Sequence, residues 1–200
     1  VPEHRVDELR TPRLRMHRWG PRERDALAAL NADPEVMRFF PGTQDRARTD
    51  ALVDRVEACF EERGWGLWAV TPDATGEPVG FVGLHPLPAG VPGAEAGGVE
   101  VGWRLARHAW GHGYATEAAT AAVTVAFDIV GLPDVWSMTA ELNTPSQAVM
   151  RRLGLTLHSR FEHPAVPEGS PLRAHVMYRT TAGRWAQRRS EADEAAVGSR

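Results

Sequence analysis

The stretch Trp110-Gly111-His112-Gly113-Tyr114-Ala115-Thr116-Glu117 decides how this chain is read. A strand-like run, Gly98-Val99-Glu100-Val101-Gly102-Trp103-Arg104-Leu105, leads into it, and a run of small residues from about Ala115 to Val130 leads out with helical character. Strand, glycine turn and helix start build an anion site from backbone alone. The first amides of a helix have no internal partner and carry the positive end of the helix dipole. Glycine lets the main chain take torsions that other residues resist and lie close to a phosphate. Two familiar nucleotide motifs are excluded. The chain has no lysine, so it has no Gly-x-x-x-x-Gly-Lys-Ser/Thr loop, and the turn is not spaced Gly-x-Gly-x-x-Gly.

Upstream, Arg13 to Trp19 alternates, with Leu14 and Met16 on one side, as a half-buried strand does. Pro21 to Leu30 reads as a helix, Asp33-Pro34-Glu35 as the start of a further helical turn, and Thr49 to Gly64 as a longer helix with Leu52, Val56 and Phe60 inward. Gly66–Thr71 and Val79–His85 flank the turn-rich Pro72–Glu77 and form a hairpin. The proline- and glycine-rich residues 86–97 read as a flexible loop. Downstream, Ala115, Ala119, Ala122 and Ala126 give the helix a small-residue face, and Gly131-Leu132-Pro133 stops it. Val135–Leu142 is a strand. Thr144 as N-cap with Gln147 predicts a capping box for the helix ending at Gly154. Leu155–Phe161 and Arg173–Thr180 are the last strands. The element order predicts an α/β (α+β) mixed sheet: antiparallel first, then a parallel neighbour across a helical crossover. One domain over residues 9–187 is expected, with residues 1–8 loose and 188–200 a disordered tail.

Composition narrows the function classes. A hydrophobic content of 42% supports a core, and a formal net charge of −3 gives no basic field for nucleic acid. A lone cysteine, Cys59, excludes an internal disulfide and fits a reducing compartment. No apolar run is long enough to span a membrane, and Val-Pro-Glu-His at the start is unlike a secretory signal, so a cytoplasmic setting without membrane contact is expected. A homodimer through the last strands or an open sheet edge stays open.

Trp110 to Ala115 resembles the Gln/Arg-x-x-Gly-x-Gly/Ala signature of the GNAT superfamily of N-acetyltransferases, with Gly113 and Ala115 at the small positions and Trp110 departing from Gln/Arg. Trp-Gly-x-Gly-Tyr-Ala-Thr-Glu-Ala, together with Leu9-Arg10-Thr11-Pro12-Arg13-Leu14-Arg15-Met16, is similar to the RimJ/RimL-like branch, which acetylates ribosomal-protein N-termini. The resemblance covers about Leu9 to Arg179. It implies the GNAT fold, in which two central parallel strands splay and the pantetheine of acetyl-CoA (coenzyme A) lies in the gap. It also implies that the amides of Gly111, His112, Gly113, Tyr114, Ala115 and Thr116 hold the pyrophosphate. Trp103 and Leu105 would meet pantetheine through their backbone, and Asn143 would touch the cofactor.

Acetyl transfer to an amine needs a proton acceptor, because an alkylammonium is mostly protonated at neutral pH. Glu100, in an otherwise apolar strand, is the first candidate, against the reading of a solvent-facing strand residue. Glu162 and His163 are further candidates, with His175 near them or simply structural. The tyrosine acid used by many superfamily members falls on Met150 here. The branch resemblance passes that role to Ser146, which could equally be a local cap. Phe39, Phe40, Trp65 and Trp68 are candidates for the acceptor side, against a plain core role. No cysteine is placed for an acyl-enzyme, so direct attack by a primary amine (a protein N-terminus or a small molecule) in a ternary complex is expected. The alternative is a non-catalytic acyl-CoA-binding module on the same fold.

Overall fold

Among the described residues eight strands form one sheet in the order β1-β2-β3-β4-β5-β6-β8-β7. The computed structural model describes residues 4–198. The strands are β1 Glu8–Arg10, β2 Leu14–His17, β3 Leu67–Pro72, β4 Gly80–Pro86, β5 Val99–Leu105, β6 Asp134–Ala140, β7 Thr156–Glu162 and β8 Ala174–Thr181. The helices are α1 Pro21–Ala32, α2 Arg46–Arg63, α3 Tyr114–Thr124, α4 Thr144–Arg152 and α5 Ala182–Gly198. Every strand pair is antiparallel except β5 with β6, as the helical crossover through α3 requires.

That parallel pair is nearly unzipped. Glu100 opposite Trp136 is its one register pair, so the strands part from there toward their C-terminal ends. On β5, alternation sends Val99, Val101 and Leu105 into the core beneath α3, where Ala118, Ala119 and Ala122 are fully buried. The small helix face allows close approach of helix to sheet. Glu100, Gly102 and Arg104 take the opposite face, where Arg104 reaches Asn31 of α1. The helix after the turn continues past Thr124 as a π-helical turn over Val125–Ile129.

Several expectations change. β1 was not expected. Residues 4–8, read as loose, are docked: Gly64 O accepts the Val6 amide at 2.7 Å, and Val6 O accepts the Trp68 indole at 2.9 Å. The tail read as disordered is helical through Gly198, because Trp185 is buried at its start and Arg189 pairs with Asp128; residues 1–3 and 199–200 lie outside the described part. Asp33-Pro34-Glu35 makes a turn, not a helix, with Asp33 Oδ1 accepting the Glu35 amide. α2 begins before Thr49, capped by Asp45, and Thr49 itself is buried. Asn143, not Thr144, caps α4. Residues 86–97 are pinned by Leu87 and Val91, which are buried with Trp136 and Met177.

Candidate active site

A cavity of about 1300 Å³ runs through the gap between β5 and β6. It joins the 111–117 turn at one end to a trough between α2 and the Glu35–Pro41 segment at the other. A pocket for one small ligand is usually ~300–1,000 Å³, so this space suits two substrates meeting.

The turn end is built for an anion. Gly111 and Gly113 have φ of +78° and +81°, a conformation that side chains other than glycine resist. Among the described residues none accepts a hydrogen bond from the backbone amides of Gly111 through Thr116; the first helical bond there is Glu117 N to Gly113 O. A cluster of free amides at a helix start is an anion nest. Arg13, just before β2, straps the turn. It donates to His112 O at 2.9 Å and to Glu117 at 2.6 Å, and Thr11 adds a bond to Glu117. Burial pushes the Glu117 carboxyl up, but the bonds from Thr11 and Arg13 outweigh it and hold the group below the ordinary range. Tyr114, Ala115 and Thr116 line the cavity. The His112 side chain does not: it is exposed, stacks on Tyr114 and bonds Trp110 O. Trp103 and Leu105 line the gap; Leu105 O accepts the Trp110 indole.

Glu100 sits at the apex of the gap and is 6% exposed, which rules out the solvent-facing reading. Oε1 accepts the Met138 amide at 3.2 Å, so the carboxylate takes over where the β5–β6 ladder stops. Oε2 lies 3.2 Å from His85 Nε2, across the β4–β5 register. His85 Nδ1 faces Pro86 O at 3.1 Å. With acceptors at both nitrogens the imidazolium is favoured. Burial alone would lower the His85 pKa, but the Glu100 charge and hydrogen bond, with the Pro86 carbonyl, carry it above its ordinary value.

His163 and His175 face one another at 4.7 Å between ring centres and line the cavity. Burial lowers both pKa values, and for His163 the neighbouring His175 adds to it. His175 Nδ1 points at Arg173 O, which assigns the ring proton to Nδ1 and leaves the Nε2 lone pair unused. Sequence reasoning left His175 either near Glu162 and His163 or simply structural; the structure puts it in the cavity wall. Glu162 does not reach the cavity and pairs with Arg173 at 3.1 Å.

On α4, Ser146 lines the cavity, while its amide is taken by Asn143 Oδ1. Asn143 also lines it, but spends its amide nitrogen on Thr139 Oγ1. Met150 is fully buried, so no acid stands at that position. Phe39 and Phe40 line the trough. Trp65 and Trp68 are core, 4% and 0% exposed, because α2 and the N-terminal segment pack over them. Cys59 touches the cavity, but burial raises its pKa and keeps it a thiol, a poor nucleophile.

Two residues escaped sequence reasoning. His85 becomes visible only through the β4–β5 register. Arg104 could have been found, because the alternation Glu100, Gly102, Arg104 places it on the face of the proposed base. Its pKa is pulled down to about 10 by burial.

Comparison with known proteins matches residues 13–156 to the Acetyltransferase (GNAT) domain family, well over half of the chain. This chain belongs to the GNAT acetyltransferase family. Among relatives of the acetyltransferase is the FsC-acetyl coenzyme A-N(2)-transacetylase of Aspergillus fumigatus, 32% identical over 88% of this chain and 77% of that protein. Solved GNAT-family acetyltransferases share the fold. One from Bacillus anthracis has a TM-score of 0.72 at 21% identity, covering 88% of this chain and 99% of that one. An acetyltransferase from Agrobacterium tumefaciens has a TM-score of 0.71 at 29% identity, covering 88% and 94%. Membership implies acetyl-CoA as the cosubstrate of the GNAT enzyme, and the free amides of the turn fit its phosphates. Among the described residues no helix is long and apolar enough to cross a membrane.

Proposed function

We infer that this protein transfers the acetyl group of acetyl-CoA to a primary amine by direct attack in a ternary complex, and that it stands with the RimJ/RimL-like branch. The observation carrying this is the single cavity that joins a free-amide turn to a buried carboxylate at the apex of the β5–β6 gap. Acetyl-CoA supplies the activated acyl group. The turn amides and Asn143 hold it, and the parted β5 backbone near Trp103 and Leu105 aligns it. Glu100 with His85 draws in the acceptor ammonium and takes its proton, with the neutral His175 Nε2 beside them as a further acceptor. Ser146 stands on the α4 side for the departing thiolate. The protonated Cys59 thiol disfavours an acyl-enzyme route.

The test is thiol release from acetyl-CoA across a panel of alkylamines, amino acids and short peptides, with thermal shift by acetyl-CoA alone. Release with one acceptor class is expected. Saturable cofactor binding with no release from any amine would instead favour the non-catalytic module.

The Glu100–His85 pair also fixes the pH dependence. Because the imidazolium persists above its ordinary value of about 6.5, the pair becomes free to take a proton only as pH rises through the raised value. We expect kcat/KM to climb with pH along a limb lying above that ordinary value. The limb should stay at one pH for two acceptors of different amine basicity; a limb that follows the amine would refute the assignment.

A further inference from the structure

Arg104 is a cation without an anion. Among the described residues no carboxylate lies within ion-pair distance of it. Nη1 donates to Asn31 Oδ1 at 2.7 Å, a neutral acceptor that is itself fully buried and oriented by Thr49 and Gln44. Its Nε is out of solvent and has no partner among the described residues. The guanidinium carbon lies 4.2 Å from the Phe40 ring centre and 5.4 Å from that of Phe81. Taking a charge out of water costs several kcal/mol unless it is paired, and a buried donor left unmade costs more. A guanidinium set over two aromatic rings, in a residue that lines the cavity, is suited to bidentate recognition of a carboxylate.

Its position gives the geometry of the ligand. Glu100, Gly102 and Arg104 lie on one face of β5, and all three line the cavity. Their backbone positions at the two ends are about 13 Å apart, at ~3.3 Å per residue. Gly102 adds no side chain between them, and a Cβ there would come only to ordinary contact with the His85 ring, at 3.5 Å. The floor thus carries the Glu100–His85 pair at the apex, is bare in the middle and is positive at the far end. We propose that the acceptor is an amine that also carries a carboxylate, its amino end at Glu100 and its carboxylate on Arg104. This rests on the acetyl-transfer reading for the amine end alone; the carboxylate subsite stands on Arg104 itself.

The experiment compares a ladder of ω-amino acids, each paired with the alkylamine of equal length, in turnover and in calorimetric binding to the protein–coenzyme A complex. The wild type, Arg104→Gln and Arg104→Lys are used, with melting curves checking that each variant is folded. The expected result is a preference of about 30-fold or more for the carboxylate-bearing member. It should collapse toward unity in Arg104→Gln and be only partly kept in Arg104→Lys, which retains the charge without the fork. Equal binding of both members, or a preference that Arg104→Gln leaves intact, overturns the proposal. So does a preference for succinyl-CoA over acetyl-CoA that depends on Arg104, because the carboxylate would then belong to the acyl group. Carboxylate binding that depends on Arg104, with no thiol release from any acceptor, would sink the acetyl-transfer reading and keep the subsite.

Discussion

Gly113→Glu is expected to abolish measurable acetyl-CoA binding, by about 100-fold or more in Kd, in a protein that remains folded. Gly113 has φ of +81° and stands immediately before α3, among amides with no internal acceptor. A glutamate there is wrong in two ways. It must hold a left-handed backbone that costs a non-glycine residue roughly 1–2 kcal/mol, and it places a carboxylate where the nest is to receive phosphate. Repulsion and competition for the same N–H groups act together. The new carboxylate would also compete for Arg13, whose Nη2 lies 3.4 Å from where a Cβ at this position would sit. Gly113→Ala carries the backbone penalty alone, so calorimetry on the pair separates the two causes. Unchanged affinity in Gly113→Glu would remove the turn from the cofactor site.

Glu100→Gln should lower kcat/KM by about 10²–10⁴-fold, the range for loss of a positioned acid or base, while acetyl-CoA affinity stays within a few-fold. Glutamine is the informative choice because its carbonyl can still accept the Met138 amide, so the apex of the gap keeps its shape. What disappears is the charge. His85 then keeps only the Pro86 carbonyl against burial, and its pKa falls. The alkaline limb of the pH profile should therefore shift downward or vanish along with the rate. Full turnover in Glu100→Gln would transfer the proton-accepting role to His175 and reduce Glu100 to a strut between strands.

Legibility in the sequence followed locality. The run Val99–Leu105 and the turn after it could be read because alternation, glycines and helix-start chemistry lie within a few residues of each other. The same locality failed at Asn143 and Thr144. Both can cap a helix, and the choice is made by the Thr139 hydroxyl, which holds the Asn143 side chain in place. Trp65 and Trp68 were misassigned because an aromatic residue has the same signature in a core and in a groove. What separates them from Phe39 and Phe40 is the packing of α2 and of a docked N-terminal segment read as loose. Glu162 was placed by its nearness in sequence to the end of a strand, but its partner Arg173 holds it away from the cavity. The Glu100–His85 pair joins residues fifteen apart in sequence through strand register, which the sequence pattern alone does not specify.

The unzipped seam has a mechanical meaning. β1 to β5 and β6 to β8 are two slabs riveted at Glu100 and Trp136, with the side-chain bond from Glu100 to Met138 standing in for the next rung. A molecule lying in the opening with amide groups along its length would act as a removable strand, closing the sheet while it is present. The protein should then be mortared by its own reactant, stiffest when loaded and loosest after product leaves.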